Sequence, residues 1–205
     1  MPVKKPTSDL VKKIKFIFPY KINPDAKFQR IQLEHDGLNA VLIKTPEVEV
    51  DGYATDLTND ALNIRCRYDS CDVVGQFIEA FNNRLVSEMS KRIEMLDCVK
   101  YSLDKMEAIK KLIRSPQANK VFYVRLQYLK PEKVYFVNYY NINKERVEVT
   151  KSNVYDIIDS NKRFEMVLAL EQVYVTDINI YYKFRLHGLK ECVSLTDQYE
   201  DYFSD

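Results

Sequence analysis

The chain has 205 residues, 46% apolar and 30% charged, with 31 Lys and Arg against 30 Asp and Glu. That length buries a real core without disulfide or metal staples, and the near-neutral balance names no partner on its own. There is no run of about 20 apolar residues to span a membrane, and "MPVKKPTSDL" has no apolar signal region, so no membrane is expected and the setting is the cytosol or nucleus of a host cell.

The first element predicted is a strand at 13–20, "KIKFIFPY", in which Ile14, Phe16 and Phe18 alternate with Lys13 and Lys15 until Pro19 ends it. "FQRIQLEHDGLNAVLIK" at 28–44 has the pattern of a hairpin, with Asp36-Gly37 as the turn between alternating segments. "ALNIRCR" at 61–67 alternates cleanly, with Leu62, Ile64 and Cys66 on one face and Asn63, Arg65 and Arg67 on the other.

The period then changes. Val74, Phe77, Ile78, Phe81, Leu85, Met89, Ile93 and Leu96 fall at steps of three and four, which marks a long helix over 72–97 with Asp72 as its N-terminal cap. Met106, Ile109, Leu112 and Ile113 mark a second helix over about 103–114.

From residue 120 the period returns to two. "KVFYVRLQYL", "KVYFVNYY" and "RVEVT" are predicted as three strands, and "SNVYDIIDSN" at 152–161 as a short helix capped by Ser152. "FEMVLALEQVYV" and "INIYYKFRL" make two long strands, and "KECVSL" at 190–195 a last one. The expected class is α+β: an antiparallel sheet or barrel, with one long helix and one or two shorter ones packed to one side.

Residues 1–196 are taken as a single domain with a basic N-terminal segment, and 197–205 as a tail. Residues 1–30 hold eight bases and two acids, whereas 191–205 hold five acids and no base. Such opposed ends suggest a nucleic-acid partner.

Catalysis is not expected. The chain has two histidines, His35 beside a turn and His187 at a strand end, and none of the nucleophile-elbow, phosphate-loop, dinucleotide or zinc-protease motifs. Four glycines leave no glycine-rich phosphate loop. Carboxylate pairs such as Glu47 with Glu49 and Asp156 with Asp159 are what chance gives among thirty acids. The four cysteines lack the two close pairs of a zinc site and fit reduced thiols, so no metal or cofactor is expected.

The informative feature is the second face of the strands. Strict alternation groups Arg65 with Arg67, Tyr123 with Arg125, Lys133 with Tyr135 and Tyr139, and Tyr181 with Lys183 and Arg185. Tyrosine interleaved with cations suits single-stranded nucleic acid. Cations follow the phosphates, and rings stack on bases at about 1–3 kcal/mol each. DNA is the expected partner. RNA and self-association stay open at this stage. The rival class is a non-enzymatic structural or interaction protein, a virion component or assembly adaptor, whose tyrosine-rich face is a protein interface.

The chain ends "DQYEDYFSD", with acids Asp197, Glu200, Asp201 and Asp205 around Tyr199, Tyr202 and Phe203. An acidic segment carrying rings imitates single-stranded DNA, and is expected to compete for its groove or to dock protein partners. Together with "FEMVLALEQVYVTDINIYYKFRL" at 164–186, this ending resembles the single-stranded DNA-binding proteins of bacteriophages and large DNA viruses, including the poxvirus type. The resemblance implies a β-rich, OB-like barrel and an accessory role in replication or repair. It also implies an acidic aromatic tail, with Tyr199, Glu200, Asp201, Tyr202 and Phe203 as its working residues.

Overall fold

A computed structural model describes residues 3–19, 28–56, 60–68, 72–96, 103–113, 121–159, 162–176 and 178–192. The tail, 197–205, lies outside the described residues, as do Cys71 and Cys98.

The chain enters through a short helix that the sequence reading did not anticipate, α1 (Ser8–Lys13). Thr7 caps it by accepting a 3.2 Å hydrogen bond from the Leu10 amide. Leu10 and Val11 are buried. The expected first strand is reduced to β1 (Lys15–Ile17), antiparallel to β2 (Gln29–Glu34).

The Asp36-Gly37 turn forms as expected, with φ of 51° and 76° and reciprocal 3.0 Å backbone bonds between His35 and Leu38. The hairpin does not. β2 and β3 (Val41–Asp56) separate beyond the turn, and β9 (Arg163–Val175) hydrogen-bonds to both. A local turn signal cannot report a third strand that arrives from far along the chain.

β3 is long and bent. Its first part pairs with β9 up to Glu49, with a register shift between Lys44 and Glu47 at Pro46, which has no amide hydrogen to give. Its second part pairs with β4 (Ala61–Arg67), with another shift between Val50 and Gly52. Gly52 sits at φ +136°, a conformation that side chains resist. Each bulge bends the strand and adds twist. β3 thereby joins β9 to β4.

From β4 the pairing continues to β5 (Val121–Leu129), from β5 to β10 (Ile180–Cys192), and from β10 back to β9. The hydrogen bonds therefore run round a ring: β9, β3, β4, β5, β10, β9. The α+β class holds, but the sheet is mixed rather than antiparallel. β10 runs parallel to β5 at Phe184 and Arg185, and parallel to β7 (Asn138–Tyr140) from Gly188 to Lys190. Between β5 and β10 lie β6 (Val134–Tyr135), β7, β8 (Arg146–Val147), the helix α4 (Val154–Ile157) and β9. A connection of that length is what a parallel pair requires. The separate strand expected at 190–195 is instead the end of β10 as far as Cys192. α4 is capped not by Ser152 but preceded by Asn153, whose side chain bonds the Thr150 amide and the Glu148 carbonyl.

The long helix is α2 (Val73–Ser90), followed by a single 3-10 turn at Ile93–Met95. Asp72 caps it as expected, accepting a 2.6 Å bond from the Gly75 amide. The second helix is α3 (Lys105–Leu112), with Asp104 as its cap. α2 contacts α1 and α3, and Arg84 ties α1 down by donating to the Val11 carbonyl at 2.9 Å. The apolar stripe of α2 is buried, with Phe77 and Phe81 fully inside. Each such side chain contributes about 1.5–3 kcal/mol through removal from water. The Phe81 ring meets Tyr182 edge-on at 4.8 Å, and Tyr182, Phe184 and Phe122 continue the aromatic chain at 5.8 Å steps. The faces expected to be inward on β4, β5 and β10 are the inward faces. That leaves their other faces for the solvent side.

Candidate nucleic-acid interface

Register places the outward residues side by side. Arg65 on β4 is the Cα partner of Tyr123 on β5, and Asn63 is the partner of Arg125. Arg125 is in turn the partner of Arg185 in the parallel pairing with β10. Tyr181, further back on β10, is the partner of Tyr174 on β9, and Tyr174 is the partner of Arg30 on β2. Directly partnered residues share a sheet face. Cations and rings from five strands thus form one surface.

The charges on this surface are heavily managed. Arg65 Nε lies 2.7 Å from one Asp51 oxygen, and Arg67 Nη2 lies 2.6 Å from the other. Glu49 adds a 3.8 Å contact to Arg67. One carboxylate therefore orients two guanidiniums and cancels one of their charges. Arg125 faces Asp56 at 3.9 Å and donates to the Gln127 side chain at 3.3 Å. Arg185 donates to the Glu171 carboxylate.

Lys183 differs. Among the described residues it makes no ion pair. Half-burial, and then the nearby Arg125 charge, hold its ammonium below the ordinary lysine range, with Asp56 partly opposing. A cation whose charge is ill-served by its own protein gains from an added anion. Lys183 lines a cleft of about 270 Å³ with Arg125, Gln127, Glu171, Tyr174 and Arg185.

Aromatic platforms flank the cleft. Tyr123 is 50% exposed. Tyr181 stacks on Tyr174 with centroids 5.2 Å apart and planes 13° from parallel. Phe28 meets Tyr174 edge-on at 5.4 Å, and the Arg30 guanidinium covers Phe28 at 5.1 Å.

The site expected around 133–139 does not form. Tyr135 and Tyr139 are buried, at 7% and 3% exposure, and Lys133 stands in a turn at φ +58° rather than in a strand. Alternation itself holds, but with the opposite face outward: Phe136, Asn138 and Tyr140 are exposed, while Tyr135 and Tyr139 turn into the core. Tyr139 donates its hydroxyl to Glu191, whose other oxygen takes Lys162 at 3.0 Å. Burial and that acid push the Tyr139 phenol up, which fits a structural tyrosine. The sequence reading also missed Tyr174 and Arg30, although both alternate with buried neighbours on β9 and β2. It missed the acids that hold the arginines. Asp51 and Glu171 come from the strand that precedes the cations they meet, and Asp56 reaches Arg125 from β3, far away in sequence.

No protein-family model and no curated protein matches the chain. Solved structures similar to it include the single-stranded DNA-binding protein of bacteriophage Enc34 in three forms. Its C-terminal truncation is 9% identical with a TM-score of 0.40, over 88% of this chain and 96% of that one. The complex with single-stranded DNA is 9% identical with a TM-score of 0.40, over 87% and 95%. A third form is 10% identical with a TM-score of 0.36, over 90% and 99%. All three likenesses are coarse. Among the described residues, no helix is long and apolar enough to cross a membrane.

Proposed function

We propose that this chain binds single-stranded DNA across the outward face of β4, β5, β10 and β9, as a non-enzymatic accessory of replication or repair. The observation that carries the reading is Lys183, a half-buried cation without an ion pair among the described residues, set between two arginines and beside stacked tyrosines. That cluster offers charge to a phosphate backbone and rings to unstacked bases, the two requirements of single-strand binding. A duplex groove asks instead for a projecting helix or ribbon.

We read the ring of β3, β4, β5, β10 and β9 as an OB-like barrel. In OB-folds the second and third strands present the face that binds oligonucleotides. Here β4 and β5 take those positions, and they carry Arg65, Tyr123 and Arg125. Segment 197–205 is assigned the role of a tethered competitor for the same face.

A gel shift with single-stranded and duplex oligonucleotides of equal length tests the reading. Preferential retention of the single strand supports it. Equal binding of both forms, or none at low salt, rejects it.

A further inference from the structure

A second depression lies beyond the cationic cleft, and the proposal built on it rests on the single-strand reading above. Because β5 and β10 run parallel, residues along both strands advance in the same direction. Arg125 and Gln127 lead to Leu129 on β5, while Lys183 and Arg185 lead to His187 on β10. Lys183, Arg185, Arg125 and Gln127 line the cleft, whereas Leu129 and His187 line a pocket of about 480 Å³. The two depressions therefore follow one another along one strand pair.

The pocket mixes apolar side chains with the polar groups of Asn138, Arg146, Glu148 and His187. Val134, Val147 and Val149 line it, and Phe136 and His187 meet in it edge-on with centroids 5.6 Å apart. Phe136 is 45% exposed, so its ring is open to a ligand in the pocket. The buried Nε2 of His187 has no hydrogen-bond partner among the described residues. Unpaired buried nitrogens are uncommon, because leaving one unmet is costly. Arg146, also lining the pocket, is exposed and makes no ion pair among the described residues.

The shape of β10 accounts for the pocket. The strand shifts register against β9 between Leu186 and Gly188, which places an extra residue at His187. A side chain at Gly188 would meet Val167 at 3.2 Å, so the backbone comes close to β9 there. A bulge of this kind re-aims a side chain. Here it is His187 that sits at the extra position.

We infer that this pocket receives one nucleobase of the bound strand, stacked on Phe136 beside the His187 ring, with Arg146 meeting the adjoining phosphate. Three features argue for a base rather than an apolar peptide side chain. The pocket continues the cationic cleft, it holds an exposed ring edge-on to an imidazole, and an exposed arginine without an ion pair among the described residues stands at it. Burial and the neighbouring Arg185 lower the basicity of His187, so the ring beside the base is an uncharged imidazole.

The test uses the full chain with oligo-dT and with thymidine 5′-monophosphate, and compares Phe136→Ala, Phe136→Leu and Arg146→Ala with the parent. Phe136→Leu keeps apolar volume and guards against a folding artefact, and thermal melting is recorded for each protein. Loss of about fivefold or more in oligo-dT affinity in both Phe136 variants, at unchanged melting temperature, is the expected result. Unchanged affinity in Phe136→Leu overturns the pocket while leaving the cationic face intact. The monophosphate separates the two readings. If the parent fails to hold oligo-dT but millimolar monophosphate shifts the His187 ring resonances, the pocket stands and the single-strand reading falls. If neither ligand is bound, both fall.

Discussion

Arg125 and Arg185 are direct Cα partners in the parallel pairing of β5 with β10, and each is held by an acid from a third strand, Asp56 on β3 and Glu171 on β9. Two guanidiniums so placed repel one another, and their acids offset that repulsion while the face is empty. Glu171 therefore competes with a phosphate for Arg185. Glu171→Gln is expected to raise single-strand affinity about two- to fivefold, the equivalent of the ~0.2–1 kcal/mol carried by an exposed ion pair. Fluorescence anisotropy with oligo-dT measures it, and weaker binding in the variant would show that Glu171 serves to position Arg185 for the ligand.

Lys183 couples stability to pH. Half-burial and Arg125 lower its affinity for the proton in the folded state, whereas the unfolded chain titrates near 10.5. Between these values the unfolded state binds more protons, so this group's contribution to stability rises with pH through that window and is unfavourable below it. Lys183→Met removes the penalty. The variant is expected to melt no lower than the parent at pH 7 and to bind oligo-dT about tenfold more weakly, as loss of a phosphate contact implies. Melting and anisotropy on the same sample check both; a variant that melts well below the parent would mark Lys183 as structural.

The Tyr182 hydroxyl donates a 2.9 Å hydrogen bond to Asn82 Oδ1 across the contact of α2 with β10. Asn82 is 6% exposed, and burial pushes the Tyr182 phenol up. Tyr182→Phe removes the donor and is expected to cost about 1–2 kcal/mol. Phe77→Ala is expected to cost about 3–5 kcal/mol, since a fully buried ring leaves a cavity. Urea denaturation measures both. Oligo-dT affinity is expected to stay unchanged in Tyr182→Phe, because Tyr182 belongs to the inward face.

The inward faces were legible because they depend on short-range alternation. Leu62, Ile64 and Cys66, or Phe122, Val124 and Leu126, need only period two. The stripe from Val74 to Met89 needs only period 3.6. What was not legible depends on which strands pair and in what register. Nothing near Asp36-Gly37 announces that β9 will lie between β2 and β3. Nothing near Arg65 and Arg67 announces Asp51, although Val48 and Val50 pointing inward hint that Glu49 and Asp51 point out. Tyr135 and Tyr139 misled because the segment carries rings on both faces, Tyr135 and Tyr139 on one and Phe136 and Tyr140 on the other, so composition does not say which face is wet, and the tyrosines at 135 and 139 are the inward set. The bulge at His187 is equally silent in sequence, since it arises from register against β9.

Residues 197–205 supply a further prediction. Their deletion is expected to raise single-strand affinity, most at low salt. Four negative charges tethered to the same chain would compete for a cationic face at an effective concentration near millimolar, of order that of short linkers. Salt screens that competition, because the Debye length falls to about 8 Å at physiological ionic strength. Alanine at Tyr199, Tyr202 and Phe203 is expected to reproduce part of the gain. A deletion that lowers the melting temperature and leaves binding unchanged would make the segment structural.

The central claim is that Arg125, Lys183 and their neighbours meet phosphates, and salt dependence tests it most directly. With about four phosphates neutralised, the log–log plot of oligo-dT affinity against salt should have a slope of roughly −3, from ~0.7 counterions released per contact. The double charge reversal Arg125→Glu with Lys183→Glu should make it shallower by about 1.4, the share of two contacts. A parent slope near zero, or an unchanged slope in the double variant, would contradict the account.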